Sequence, residues 1–321
     1  MRAVRLRPAY FAELALFGFA YFLVSRIGLA FLVPGQVSEI WPATGVAIAI
    51  LTLRGRRLWP AIFLGAWLST LSAVPWYTAI GIALGDTLEA LLAATLLSLA
   101  EFRPALKRIR DVAALFVLAS VLSSMVNATI GVLSLCLSHL RPWSEFRNLW
   151  WPFWSGDAIA TLVVSPVIFT WTAQVRQGWQ VRRLGEAAVL TGILILLSVV
   201  VFRTAAPGEG TPLHYLIFPV IIWSAIRLGQ HSTAAVVLGA AAVSLLATLA
   251  GRGPFLRPTL SESFLQLDVF MGVVAVTGLF LGAAMAERNR AERRRNTDFA
   301  LLRQSEERLA LALAAGQMGA W

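Results

Sequence analysis

Apolar residues in this chain come in long unbroken runs. They show neither the alternation of a half-buried strand nor the narrow stripe of a soluble amphipathic helix. Ten runs can be marked, at residues 11–33, 41–53, 58–73, 78–100, 112–137, 150–171, 186–202, 213–226, 232–250 and 264–286. Most approach the ~20 residues that a helix needs to cross a hydrocarbon core of roughly 30 Å. Polar residues gather in short connectors between them. The pattern predicts an all-α fold: a polytopic transmembrane helix bundle of about 8 to 10 spans, with eight if one or both short hairpins do not cross.

The stretch WPATGVAIAILTLRGRRLWPAIFLGAWLST, residues 41–70, tests this pattern, because Arg54, Arg56 and Arg57 separate its two apolar halves. A re-entrant loop would leave three guanidinium groups in hydrocarbon, at about 3 kcal/mol each. A spanning hairpin delivers them to water. At about 1.5 Å per residue the run 41–53 reaches only ~20 Å. Its far end therefore starts inside the protein, or the span borrows residues 37–40.

Composition and charge agree with a membrane chain. The sequence is 58% hydrophobic and 14% charged, against about 25% charged in ordinary globular domains. The net charge of +10 admits a nucleic-acid partner in principle, but the cations fall in clusters between apolar runs, as the positive-inside rule requires. With the N-terminus in the cytoplasm, the inside segments hold Arg2, Arg5 and Arg7; Arg54, Arg56 and Arg57; Arg103, Lys107, Arg108 and Arg110; Arg176, Arg182 and Arg183; Arg227; and the run from Arg288 to Arg295. The outside segments keep Arg141, Arg147, Arg203, Arg252 and Arg257. Both termini are expected in the cytoplasm, with no nucleic acid bound. Residues 1–10 read as the basic start of an uncleaved first span. The single Cys136 excludes an intrachain disulfide and a thiolate metal site.

Gly55 and Gly65, flanking RRLWPAIFL, match Gly229 and Gly239, flanking QHSTAAVVL, in spacing. A duplicated hairpin and ordinary glycine-mediated helix packing both account for the echo. Beyond Met285 the chain turns charged, with Phe299, Leu302, Leu309 and Leu313 at helical spacing. A helix leaving the membrane as a short two-stranded coiled coil, hence a homodimer, is the expectation. The alternative is a solvated helix lying on anionic lipid. The expected division is a membrane domain over 1–286, a cytoplasmic connector over 287–310, and the start of a further folded unit over 305–321.

Charged residues inside spans need an account, because each is costly there. Arg26, Asp86, Glu89 and Asp157 read as lying in the outer half of their spans, and Thr44 beside Trp41, Pro42 and Gly45 reads as lying at similar depth. The expectation is a polar pocket open to the outside, in which Arg26, Thr44, Asp86, Glu89, Asp157, Asn127 and His214 hold a small polar ligand or a proton. The alternative is that Arg26 pairs with Asp86 or Asp157 to fasten helices. Trp143, Trp150, Trp151 and Trp154 read as an interfacial aromatic belt. His139, His214 and His231 are too scattered for a metal site, and neither a phosphate loop nor a nucleophile elbow occurs. No catalytic residue, metal or cofactor is expected.

Residues 41–70, GDTLEALLAATLL at 85–97 and WWPFWSGDAIATLVVSPVIFTW at 150–171 together resemble the MASE1 domain, a membrane sensory module of bacterial signalling proteins. SEERLALALAAGQMGAW at 305–321 resembles the opening of a PAS domain. The resemblance implies an inner-membrane receptor for an unidentified small ligand or membrane signal, with a histidine kinase, diguanylate cyclase or phosphodiesterase as output. A secondary transporter or channel is the alternative from another class, and a membrane scaffold is a third.

Overall fold

In the computed structural model, residues 8–30, 41–175, 192 and 215–318 are described. They are helical, with no strand among them. The helices are α1 (Pro8–Ala30), α2 (Pro42–Arg54), α3 (Trp59–Thr70), α4 (Trp76–Leu99), α5 (Ile109–Leu137), α6 (Phe146–Val175), α7 (Ile217–Leu228), α8 (Gln230–Leu249) and α9 (Leu260–Met318). Six of these, α1, α4, α5, α6, α8 and α9, are long and apolar enough to cross a bilayer. The remaining three are shorter. Nine of the ten predicted runs are thus helices, and the run 186–202 lies outside the described residues.

Two large apolar cores hold the bundle, and a small third cluster of Val132, Cys136 and Leu149 joins α5 to α6. One large core joins α1 to α6 through Tyr21, Ile48, Leu51, Ile62, Leu97, Leu115 and Phe169. The other joins α6 to α9 through Leu162, Ile221, Val237, Phe264, Leu267 and Val274. Outward-facing Leu16, Phe19 and Leu23 leave α1 apolar on its far side, as lipid contact requires.

The short α2 begins inside the bundle, with Pro42 at its first turn and no side-chain cap from Trp41. Proline suits that position because its missing N–H would be unpaired there anyway. Close contact with α6 makes the burial workable: a Cβ on Gly45 would lie 2.7 Å from the Ala160 carbonyl oxygen, so the two backbones nearly touch. Both hairpins turn on a glycine in the left-handed region, Gly55 at φ +105° and Gly229 at φ +84°. They differ in detail: Arg56–Leu58 form a 3-10 turn after Gly55, whereas α7 ends in a π-helical segment, Ser224–Leu228, before Gly229.

The cation clusters of the described residues meet at one end. Arg57 pairs with Glu13 of α1 at 3.0 Å, and Arg56 Nη1 donates to Thr95 near the end of α4. Glu287 Oε1 accepts the Ile109 N–H at 3.0 Å, and Trp171 Nε1 donates to the His231 carbonyl. The 54–57 turn, the 100–108 loop, the Gly229 turn and the exit of α9 therefore share a face of the bundle. Arg26, bonded to Ser72, marks the other end.

α9 has 59 residues, roughly 88 Å at about 1.5 Å each. It is packed in the bundle as far as Glu287 and exposed from Arg288 to Arg308. The helix passes Gly316 and reaches Met318.

Candidate functional site

Asp86 lies ten residues from Trp76 and Glu89 ten from Leu99, so the two straddle the middle of α4 (Trp76–Leu99). Helical spacing turns both to one face. The opposing α5 contains a π-helical segment, Leu115–Ser123, whose extra residue per turn shifts the register of everything after it. Ser120, Ser123, Ser124 and Asn127 all face inward in consequence and are buried. α2 contributes Thr44 from its first turn, and α6 contributes Asp157.

These side chains form one hydrogen-bonded centre. Asn127 Nδ2 donates one hydrogen to Asp86 Oδ1 and the other to Asp157 Oδ2, both at 2.8 Å. Thr44 Oγ1 donates to Asp157 Oδ1 at 2.7 Å, and the Tyr21 hydroxyl donates to Asp86 Oδ2 at 2.9 Å. Every oxygen of both aspartates thus accepts a bond. Ser124 Oγ donates to Glu89 Oε1 at 2.6 Å, while Glu89 Oε2 and Asn127 Oδ1 are buried without a partner. Gly85 is where α4 must lack a side chain, because a Cβ there would overlap Asn127 Oδ1. The α2 N-terminus adds its positive dipole end beside Asp157.

The centre is sealed: Asp86 is 5% exposed, Asp157 2% and Glu89 0%. An open outer pocket was the expectation, and the structure differs in depth and in access. Carboxyl groups settle where donors from neighbouring helices replace water, and those donors converge in mid-bundle because α2 starts there. Five of the expected residues, Thr44, Asp86, Glu89, Asn127 and Asp157, come together. Arg26 does not; it is exposed and donates to Ser72 Oγ at 2.6 Å. His214 lies outside the described residues. Chemically, three carboxyl groups with two unpartnered acceptors and, among the described residues, no cation as hydrogen-bond partner suit a proton or a donor-bearing ligand.

Several participants had not been singled out from sequence. Tyr21 and Ser124 supply donors. Asp268 of α9 is 5% exposed, and its Oδ1 is buried without a hydrogen-bond partner. Tyr21 could have been noticed, since Gly18, Tyr21 and Ser25 recur at helical spacing on the one face of α1 that turns inward. Two of the four tryptophans also depart from the belt reading. Trp150 donates to Thr129 Oγ1 and Trp154 to the Val121 carbonyl, both at 3.1 Å, fastening α6 to α5. Trp143 and Trp151 remain half-exposed, as interfacial residues are. Among the described residues no group of three or more His, Cys, Asp or Glu is arranged to hold a metal ion.

A multi-spanning helix bundle with a buried polar centre, and one helix continuing out of its arginine-rich end, defines a polytopic membrane protein. The chain matches the MASE1 family over residues 12–289 and belongs to it. MASE1 is a membrane sensory domain of signalling proteins. No curated protein and no solved structure matches the chain.

Proposed function

We propose that this chain is the sensory input domain of a bacterial signal-transduction protein, set in the inner membrane with both termini in the cytoplasm. Thr44, Asp86, Glu89, Asn127 and Asp157 are its signal site, occupied by a proton or a small donor-bearing ligand. One observation carries the reading: α9 packs beside the buried centre, a Cβ on Gly272 lying 3.2 Å from Ile159 Cδ1 two residues past Asp157, and the same uninterrupted helix, Leu260–Met318, leaves the bundle. A change in charge or occupancy at the centre favours one of two packings around α9, and a rigid helix transmits the shift.

Beyond the bundle, Phe299 and Leu302 are exposed on α9, which supports pairing with the same helix of a second copy. The residues from 305 onward resemble a PAS opening, and a histidine kinase, or otherwise a diguanylate cyclase or phosphodiesterase, is the proposed output. The test uses Asp86→Asn and Asp157→Asn in the full-length protein. These keep shape and remove titratable charge, so stability should stay within about 1 kcal/mol while the output loses its response. An unchanged response in both variants, with normal membrane insertion, would sink the proposal.

A second reading has a specific observation behind it. A helix beginning at mid-bundle with its N-terminus toward a carboxyl group is a feature of secondary transporters. Directional solute flux in reconstituted vesicles would favour it; ligand-dependent movement of α9 without flux favours sensing.

A further inference from the structure

At the arginine-rich end, a cavity of about 320 Å³ opens between the 100–108 loop, the end of α6, the Gly229 turn and α9. Its lining includes Lys107, Arg227, His231 and Arg293, and no acidic residue among the described ones. The first turn of α8 also borders it, so the positive end of a 20-residue helix adds to the charges of Lys107, Arg227 and Arg293. Neither the buried carboxyl centre nor the apolar cores use this cavity.

We infer that the cavity is a binding site for a phosphate group, carried by an anionic lipid headgroup or by a soluble phosphate. Cations converging on a helix N-terminus match the chemistry of a phosphate, which accepts several charge-assisted bonds at once. The position decides what binding does. Lys107 and Arg227 belong to the bundle, whereas Arg293 lies on the exposed part of α9, past its exit. Direct contacts already strap this joint: Glu287 accepts the Ile109 N–H, and Gln230 Nε2 donates to the Leu279 carbonyl at 3.0 Å. A phosphate held between Arg227 and Arg293 adds an ionic clamp across the same joint and fixes the angle at which α9 leaves. The site is independent of the carboxyl centre, and it stands or falls separately.

The test titrates the full chain, in neutral detergent, with radiolabelled inorganic phosphate and, separately, with phosphatidylglycerol in mixed micelles. Binding is read by equilibrium dialysis and by lipid retention in native mass spectrometry. Saturable binding is expected, about tenfold or more weaker in Arg227→Gln/Arg293→Gln. Unfolding temperature is recorded for every variant, so that loss of binding is separated from loss of fold. Arg227→Lys/Arg293→Lys retains binding, and Arg252→Gln/Arg257→Gln, at the opposite end, leaves it unchanged. Binding of both probes identifies a site open to soluble phosphate; binding of the lipid alone identifies the bilayer as source. Absence of saturable binding of either probe overturns the inference, as does equal weakening by the Arg252/Arg257 variant.

Discussion

Asp111 and the trio Asp86, Glu89 and Asp157 are equally hidden from solvent, at 1% exposure against 5% or less, yet their partners differ in kind. Asp111 is met by its own cation: Arg108 Nε donates to its Oδ2 at 2.7 Å, Arg108 Nη2 bonds its Oδ1, and the Arg103 N–H donates there too. That hydrogen bonding, with the charge of Asp111, pushes the Arg108 guanidinium further above its usual range. At the bundle centre the donors are a phenol, two hydroxyls and an amide, all uncharged. A charge that is matched by a fixed opposite charge fastens structure. A group of carboxyls held only by neutral donors leaves its charge state free to answer to something else. The first arrangement reads as a rivet at the arginine-rich end and the second as a site.

The comparison breaks or sharpens on measurable stability. Arg108→Gln leaves Asp111 buried without its cation and should cost about 3 kcal/mol or more, seen as a large drop in unfolding temperature in detergent. A negligible drop would remove the rivet from the argument. Asn127→Leu takes away both amide hydrogens that join Asp86 to Asp157, and should cost about 2 kcal/mol by the same measurement. Were its cost to match that of Arg108→Gln, the centre would be as structural as the rivet. At the low end, Arg57→Gln removes an exposed pair with Glu13, the Arg57 side chain being 64% exposed. Its effect should be below about 1 kcal/mol, which sets the scale for surface charge.

Much of this was legible before any coordinates. Unbroken apolar runs marked nearly every described helix, and the arginines at 54–57 fall at the end of α2 and in the turn before α3. The brevity of the run 41–53 predicts a far end that starts inside the protein or a span that borrows residues 37–40; α2 begins at Pro42 and is buried from Ala43, and residues 37–40 lie outside the described residues. The membership of the site was harder. Asp86 and Glu89 announce themselves as charges in an apolar run, whereas Tyr21 and Ser124 are ordinary polar residues until their rotation is known. Arg26 looked like the natural partner for Asp86 or Asp157, but the end of α1 sits beside α3 and Ser72, so its charge stays at the surface.

The sequence by itself determined which segments form the apolar helices, because leaving an apolar run in water is costly wherever it falls. Which side chains meet was decided only by tertiary structure. Thr44 and Asp157 lie 113 residues apart, and their contact depends on the depth at which α2 starts and on how closely Gly45 lets it approach α6. The inward turn of Ser124 and Asn127 depends on a π-helical segment whose added residue per turn no apolar periodicity reveals. Helix rotation and depth are collective outcomes of packing, and a one-dimensional pattern carries hydropathy but not the angle at which each helix presents it.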